Sequence, residues 1–192
     1  MADISLDRIC KSFDGKPVLT DLSCRFPEHG ISCVTGPSGE GKTTLLRLIA
    51  NLEIPDSGML TGTEGRKVGM VFQEDRLIGS MSAIDNVRLT ASEEHSRNEL
   101  ESAFRALGLG ESMHQPAGTL SGGMSRRVAL LRALCSDSDL LLFDEPFKGL
   151  DEKTRTAVIS YTRGALLDRT CILVTHDEEE ARMLGATVHV RI

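Results

Sequence analysis

Residues 36 to 44 read GPSGEGKTT. Gly36, Gly41, Lys42 and Thr43 stand at the spacing of a phosphate-binding loop, where glycines let backbone N–H groups converge on an anion. Lys42 adds a point charge at the outer phosphates of a nucleotide, and the Thr43 hydroxyl is a hard oxygen ligand of the kind Mg²⁺ prefers. A second set ends the apolar run LLLF: Asp144 and Glu145. A carboxylate pair at the end of a buried strand can divide two tasks, Asp144 on a metal shell and Glu145 facing an attacking water. Gln73 follows VGMVF and His176 follows CILVT, so each is a polar tip on a further apolar run. The third set lies in TLSGGMSRRVALLRAL, residues 119 to 134. Ser121, Gly122 and Gly123 leave bare backbone N–H groups at a helix start, which attracts anions. Arg126 and Arg127 follow in the first turn, against the helix dipole, an arrangement that makes sense if an anion sits at that end. The chain therefore carries two candidate phosphate seats and one acid pair.

The elements that must position these groups alternate in type. ISLDRI, FDGKPVL and GISCVTG read as strands of an N-terminal β-region, with Asp14-Gly15 as a hairpin turn. SCVTG leads into the glycine loop, and KTTLLRLIANL after it repeats Leu45, Leu48, Ile49 and Leu52 at helical spacing. KVGMVF is a strand ending at Gln73, followed by a polar, irregular stretch to about Thr90. Ser96 with Glu99 fits the capping box of a helix running to Leu107. In the next helix Met124, Val128, Leu131 and Cys135 form a core-facing stripe. Then come the strand DLLLFDEP, a helix from DEKTRTAVISYTRGALL, the strand TCILVTHD, the short helix EEEARMLG and a last strand TVHVRI. Alternation of this sort means an α/β domain with a mainly parallel sheet. The largely helical middle, about 75 to 135, is expected to form a lobe. Thr35, Gln73, Asp144 and Thr175 all end strands, so they are expected along one shared edge of the sheet, where ligands of open α/β sheets bind.

Composition narrows the class further. The 192 residues give one domain as a prior, with 40% hydrophobic and 26% charged residues, ordinary for a globular protein. A formal net charge of -6 argues against nucleic acid as a partner, which calls for a basic surface. No apolar run is long enough to span a bilayer and MADISLDRIC has no signal-peptide core, so any membrane association is expected through a partner. Cys10, Cys24, Cys33, Cys135 and Cys171 are scattered, with no metal-ligand spacing, and read as reduced thiols of a cytosolic protein.

Taken together, these motifs make the chain resemble the ATP-binding subunits of ABC transporters, over about residues 3 to 192. The carriers of the resemblance, in family order, are Phe13, GPSGEGKTT, Gln73, LSGGM, LLLFDE, GLD at 149 to 151, and His176. The resemblance implies a P-loop NTPase fold of RecA-like type, with an antiparallel β-region at the N-terminus and a helical subdomain near 75 to 135. It implies ATP and Mg²⁺ as cofactors and a head-to-tail pairing in which each ATP lies between one chain's P-loop and the other's LSGG helix. Two anion seats in one chain then serve two nucleotides. By the family's pattern Phe13 stacks on adenine with Val18 nearby, and Gly36, Pro37, Ser38, Gly39, Glu40, Gly41, Lys42, Thr43 and Thr44 hold the phosphates. Thr43 and, through water, Asp144 serve Mg²⁺, which Gln73 or its water also touches. Glu145 is the general base or water-polarising group, His176 contacts the γ-phosphate, and Asp151 reaches across the interface. Ser121, Gly122 and Gly123 face the opposite chain's γ-phosphate.

The implied partners are a second ATP-binding subunit, most simply an identical copy, transmembrane permease subunits and a solute-binding protein. The implied location is the inner face of the cell membrane. VFQEDRL, LSGGM, DEPFKGLD and VTHDEEEA are most similar to importers of nitrate, sulfonates or taurine. Met124 stands where Gln is common, Phe13 where Tyr is frequent, and Lys148-Gly149 where small residues are usual. The segment from Gly58 to Gly69 is short, and the sequence ends just after its last strand, so no C-terminal regulatory domain is expected. The alternative is a soluble ABC-type ATPase. Against it, no long heptad run separates P-loop and signature, as a chromosome-type relative requires, and the length holds only one ATPase unit. A P-loop kinase or GTPase would leave LSGG and His176 without purpose, and a non-hydrolysing module would not need Glu145 and His176.

Overall fold

The computed structural model of the protein describes residues 2–192. Its N-terminal strands, β1 (Ile4–Phe13) and β2 (Lys16–Phe26), form an antiparallel hairpin. The loop between them is Asp14-Gly15, with φ of 50° and 73°. Positive φ at both central residues is what a type I′ turn demands, and it matches the right-handed strand twist. β3 (Ile31–Thr35) follows and runs into the glycine loop, after which α1 (Lys42–Ile49) begins. β4 (Ser57–Thr61) returns to the other edge of β1, giving a three-stranded sheet in the order β2-β1-β4.

The remaining elements build the site's platform. They are β5 (Val68–Val71), α2 (Ala83–Arg88), α3 (Arg97–Ala106), α4 (Gly122–Leu134), β6 (Leu140–Asp144), α5 (Glu152–Ala165), β7 (Thr170–Val174), α6 (Glu178–Leu184) and β8 (Val188–Arg191). The second sheet has the order β5-β6-β7-β3-β8, with every pairing parallel. Parallel strands are covered on both faces, which explains their unbroken apolar runs. Side chains of β6 alternate accordingly. Leu140 and Leu142 pack with Leu45, Ile49, Ile4 and Phe26 on one face, while Leu141 and Phe143 pack with Phe104, Val128 and Ile159 on the other. Helices α2 to α4 share that second core with the sheet, since Leu100, Phe104 and Val128 join the cluster of Phe143 and Leu173.

Several sequence expectations hold. The strand ends Thr35, Asp144 and Val174, the last preceding Thr175, lie on adjacent parallel strands with Val71 just before Phe72-Gln73, so the shared edge exists. Ser96 and Glu99 make the reciprocal capping bonds of α3. Other expectations need correction. Leu52 does not continue the stripe of α1: the helix stops at Ile49, Asn51 takes φ 56°, and Leu52 is exposed. The stretch expected to be irregular up to Thr90 contains α2, capped by Ser82 Oγ on the Asp85 N–H. Buried Asn86 stabilises that region, accepting from the Ile78 N–H at 2.7 Å and donating to the Ile78 and Ser82 carbonyls. SGMLT forms β4 although the sequence shows no strand period there, because Gly58 and exposed Met59 interrupt the alternation on a sheet edge.

Candidate functional site

The glycine loop crosses from β3 to α1 at the carboxyl edge of the parallel sheet. Gly41 has φ 90°, and a Cβ there would come within 2.6 Å of Leu19 Cδ2 and 3.0 Å of the Val18 carbonyl oxygen. Only glycine satisfies both the left-handed backbone and the close approach to β2. Pro37 to Glu40 are exposed, leaving that face of the loop accessible. Lys42 Nζ lies back along the loop, donating to the Gly36 and Pro37 carbonyls at 2.7 Å each.

Opposite the loop stands the acid pair. Asp144 is almost fully buried at the end of β6 and accepts a hydrogen bond from Thr43 Oγ1 at 2.6 Å. Burial pushes its carboxyl above the usual range, an effect opposed by the Thr43 bond. Glu145 takes φ 51° and ties its N–H to the Val174 carbonyl at 2.9 Å. A left-handed non-glycine residue, here ahead of Pro146, costs about 1–3 kcal/mol and persists only where its surroundings hold it. The twist brings its carboxylate against His176, whose Nδ1 lies 2.9 Å from both oxygens. The Glu145 hydrogen bond and charge raise the His176 pKa.

One cavity of about 550 Å³ collects these groups. Its lining includes Val18, Gly36, Ser38, Gly39, Gly41, Lys42, Thr43, Thr44, Gln73, Asp144, Glu145 and His176. Pro37 and Glu40 belong to the same loop but do not line it. Phe13 ends β1 outside the lining, partly exposed, with the Lys11 ammonium 5.1 Å from its ring centre. Ser121, Gly122 and Gly123 also lie outside it. Ser121 caps α4 through the Met124 N–H, it and Gly122 are exposed, and a Cβ on Gly122 would meet nothing within 4 Å. Asp151 caps α5 through the Thr154 N–H at 3.0 Å and does not reach the cavity. Gly149-Leu150 sits beside the α4 end, 3.4 Å from a Cβ built on Gly123 to Leu150 Cδ2.

Arg126 and Arg127 are not held in reserve for an anion, contrary to the sequence argument. Arg126 is 5% exposed and donates to the Phe72 and Gln73 carbonyls at 2.6 and 2.9 Å. Arg127 donates to the Gly123 and Leu107 carbonyls. Thr175 is likewise buried rather than cavity-facing, donating to Glu180 Oε2 at 2.6 Å. Lys148, in the sequence only a departure from the family's pattern, lines the cavity and adds a second ammonium there. Its position four residues past Asp144 was the available signal.

Thr43 and Asp144 offer adjacent hard oxygens, the donor chemistry Mg²⁺ takes while keeping further sites for water and phosphate. The described residues contain no cluster of three His, Cys, Asp or Glu side chains arranged to hold a metal. A site that shares the ion with phosphates does not need one.

The raised His176 pKa has a signed consequence. The pair with Glu145 contributes fully below the ordinary histidine value of 6.5 and is lost as pH rises through the raised folded value. An NMR titration of His176 should therefore show a midpoint that falls toward 6.5 in Glu145→Gln. An unchanged midpoint would mean that Glu145 is not the cause.

A glycine loop between a strand and a helix at the carboxyl edge of a parallel sheet, facing an Asp-Glu pair across one cavity, defines a P-loop NTPase. The family model of ABC transporters matches residues 19–148, and the chain belongs to that family. As an ATP-binding subunit of it, the protein is an ATPase. Aliphatic sulfonates import ATP-binding protein SsuB 1 of Paracoccus denitrificans (strain Pd 1222) is 35% identical over 192 residues, covering 97% of this chain and 78% of that protein. The protein of the same name from Rhodococcus jostii (strain RHA1) is 44% identical over 177 residues, covering 89% and 71%. A thiamine import ATP-binding protein ThiQ of Mesorhizobium japonicum is 35% identical, covering 96% and 79%. Among solved structures, a dimeric bacterial ABC transporter cassette superposes with a TM-score of 0.81 at 25% identity, covering 98% of this chain and 94% of that one.

Proposed function

We propose that the chain is the ATP-hydrolysing subunit of an importer, pairing with a second ATP-binding subunit around two ATP molecules to drive a separate permease. One observation carries the reading. Lys42, Thr43, Gln73, Asp144, Glu145 and His176 share one cavity, while the second anion-attracting helix end, Ser121-Gly122, is exposed outside it. A helix end that cannot serve its own chain's cavity is suited to a nucleotide held by another copy. The relatives named for sulfonate and thiamine import support inward transport, and the dimeric cassette supports pairing. The cargo that fits best is a small organic anion of the aliphatic sulfonate type, recognised by the permease and a solute-binding protein. Among the described residues no helix is long and apolar enough to cross a membrane. On this reading the protein is therefore held at the inner membrane face by the permease.

Within the site, Phe13 stacks on adenine beside Val18, and residues 36 to 44 hold the phosphates through loop N–H groups and the Lys42 ammonium. Thr43 and Asp144 would hold Mg²⁺, with Gln73 close by. When bound there, it would supply neutralisation of the charge on the phosphates. Glu145 accepts the proton of an attacking water, and His176 donates to the γ-phosphate. In the pair, Ser121, Gly122 and Gly123, carried by the helical segment of about 75 to 135, face the other chain's nucleotide, as does Asp151 at the start of α5.

Light scattering on Glu145→Gln, with and without Mg-ATP, tests the pairing. With the proton acceptor gone, bound ATP should persist and convert monomer to dimer, and Ser121→Arg should abolish the conversion by filling the exposed helix end. A Glu145→Gln protein that stays monomeric with ATP bound would rule out self-pairing as the active form.

A further inference from the structure

Lys148 lines the cavity, and the functional reading gives it no task. Its place is set by a tight turn after β6. The Lys148 N–H donates to the Glu145 carbonyl at 3.2 Å, and the Leu150 N–H to the Phe147 carbonyl at 3.4 Å. Phe147, 1% exposed, anchors the turn in the core, and Gly149 at φ 79° turns the chain toward α5. The turn thus holds an exposed lysine on the wall that also carries Asp144, Glu145 and His176. The acids beside it are already engaged. Asp144 accepts from Thr43 Oγ1 at 2.6 Å, and both Glu145 oxygens lie 2.9 Å from His176 Nδ1. Among the described residues no carboxylate forms an ion pair with Lys148.

Lys42, the other ammonium at the cavity, donates to the Gly36 and Pro37 carbonyls of its own loop. Two cations therefore line one cavity from different elements: Lys42 from the glycine loop, Lys148 from the loop that presents Glu145. Such a pair suits a ligand whose negative charge extends from one wall to the other. A triphosphate meets that demand, whereas a diphosphate on the glycine loop lacks the phosphate that would meet the Glu145 wall. We propose that Lys148 contacts the γ-phosphate of the chain's own nucleotide and raises the affinity of a single chain for ATP relative to ADP. The proposal rests on the functional reading above, in which residues 36 to 44 hold the phosphates and Glu145 faces the water attacking the terminal one. A compact charge on a flexible stem can follow that phosphate. Because Lys148 is exposed, water and salt screen its charge, and its effect belongs at the lower end for a charge-assisted hydrogen bond.

Equilibrium titrations with Mg-ATP and Mg-ADP test this, on the full chain at a concentration where light scattering shows monomer. Lys148→Gln should weaken Mg-ATP binding by about tenfold and change Mg-ADP binding by no more than about twofold. Lys148→Arg keeps the charge and should keep most of the ATP affinity. Added salt should narrow the gap between the parent and Lys148→Gln for ATP, as it does for any exposed charge. Thermal melting without nucleotide should be the same in all three proteins, since the side chain is exposed. Equal losses for ATP and ADP, or no loss for either, overturn the proposal. An ATP-specific loss seen only where the chain is dimeric would place Lys148 against the partner's nucleotide and overturn its assignment to its own. A parent that binds neither nucleotide would sink the functional reading together with the proposal. A parent that binds and hydrolyses ATP beside a Lys148→Gln protein of unchanged affinities sinks the proposal alone.

Discussion

Glu145→Gln should lower the rate of ATP hydrolysis by roughly 10²–10⁴-fold, the usual contribution of a positioned base, while leaving ATP binding intact. The substitution is isosteric, so the Glu145 N–H bond to the Val174 carbonyl and the left-handed turn are retained. What is lost is the proton acceptor at the cavity wall and the partner of His176 Nδ1. His176→Ala separates the two effects: it removes the imidazole from the carboxylate while leaving Glu145 able to accept a proton. A phosphate-release assay under saturating Mg-ATP reads both variants. If Glu145→Gln retains about a tenth or more of the parental turnover, the base lies elsewhere, because a loss that small is below the range of general-base removal.

The parts of this site legible in sequence were those fixed by chain-local rules. A strand feeding a glycine loop and a helix is specified without reference to anything distant, and residues 36 to 44 link β3 to α1 with Gly36, Gly39 and Gly41 at positive φ. The apolar run before Asp144 required burial on both faces, hence a parallel strand, hence a position at the carboxyl edge. The hairpin at Asp14-Gly15 was equally local. What stayed hidden depends on partners far along the chain. Arg126 looked like an electrostatic misfit because its acceptors, the Phe72 and Gln73 carbonyls, are more than fifty residues away. Thr175 read as a cavity tip because its own strand pattern gave no hint of buried Glu180 one turn into α6. α2 escaped notice because six residues carry too little periodicity to stand out from a polar stretch.

His176 and Lys148 give the wall opposite the glycine loop a mixed character that matters for turnover. Glu145 faces an imidazole on one side and the cavity's ammonium groups nearby. Behind His176 the neighbouring Asp177 is held by Arg155 of α5 at 3.0 Å, and α5 is the helix that Asp151 caps. The residue proposed to meet the partner and the residue proposed to meet the γ-phosphate are thus joined through one helix.

Lys42→Ala should weaken ATP binding by about 10- to 100-fold, the loss of a charge-assisted hydrogen bond of about 1.5–3 kcal/mol. The Lys42 ammonium donates to the Gly36 and Pro37 carbonyls at 2.7 Å, so it also braces the loop that presents the N–H groups. Removing it takes away a charge and loosens the cradle together. Lys42→Arg separates these contributions: it keeps the charge, but a planar fork cannot place a compact cation between two loop carbonyls. Equilibrium titration with a fluorescent ATP analogue reads all three proteins, and thermal melting without nucleotide reports the bracing term. Equal affinity in Lys42→Ala and the parent would show that backbone N–H groups alone hold the phosphates. A strong loss in Lys42→Arg as well would place most of the effect in loop geometry instead of charge.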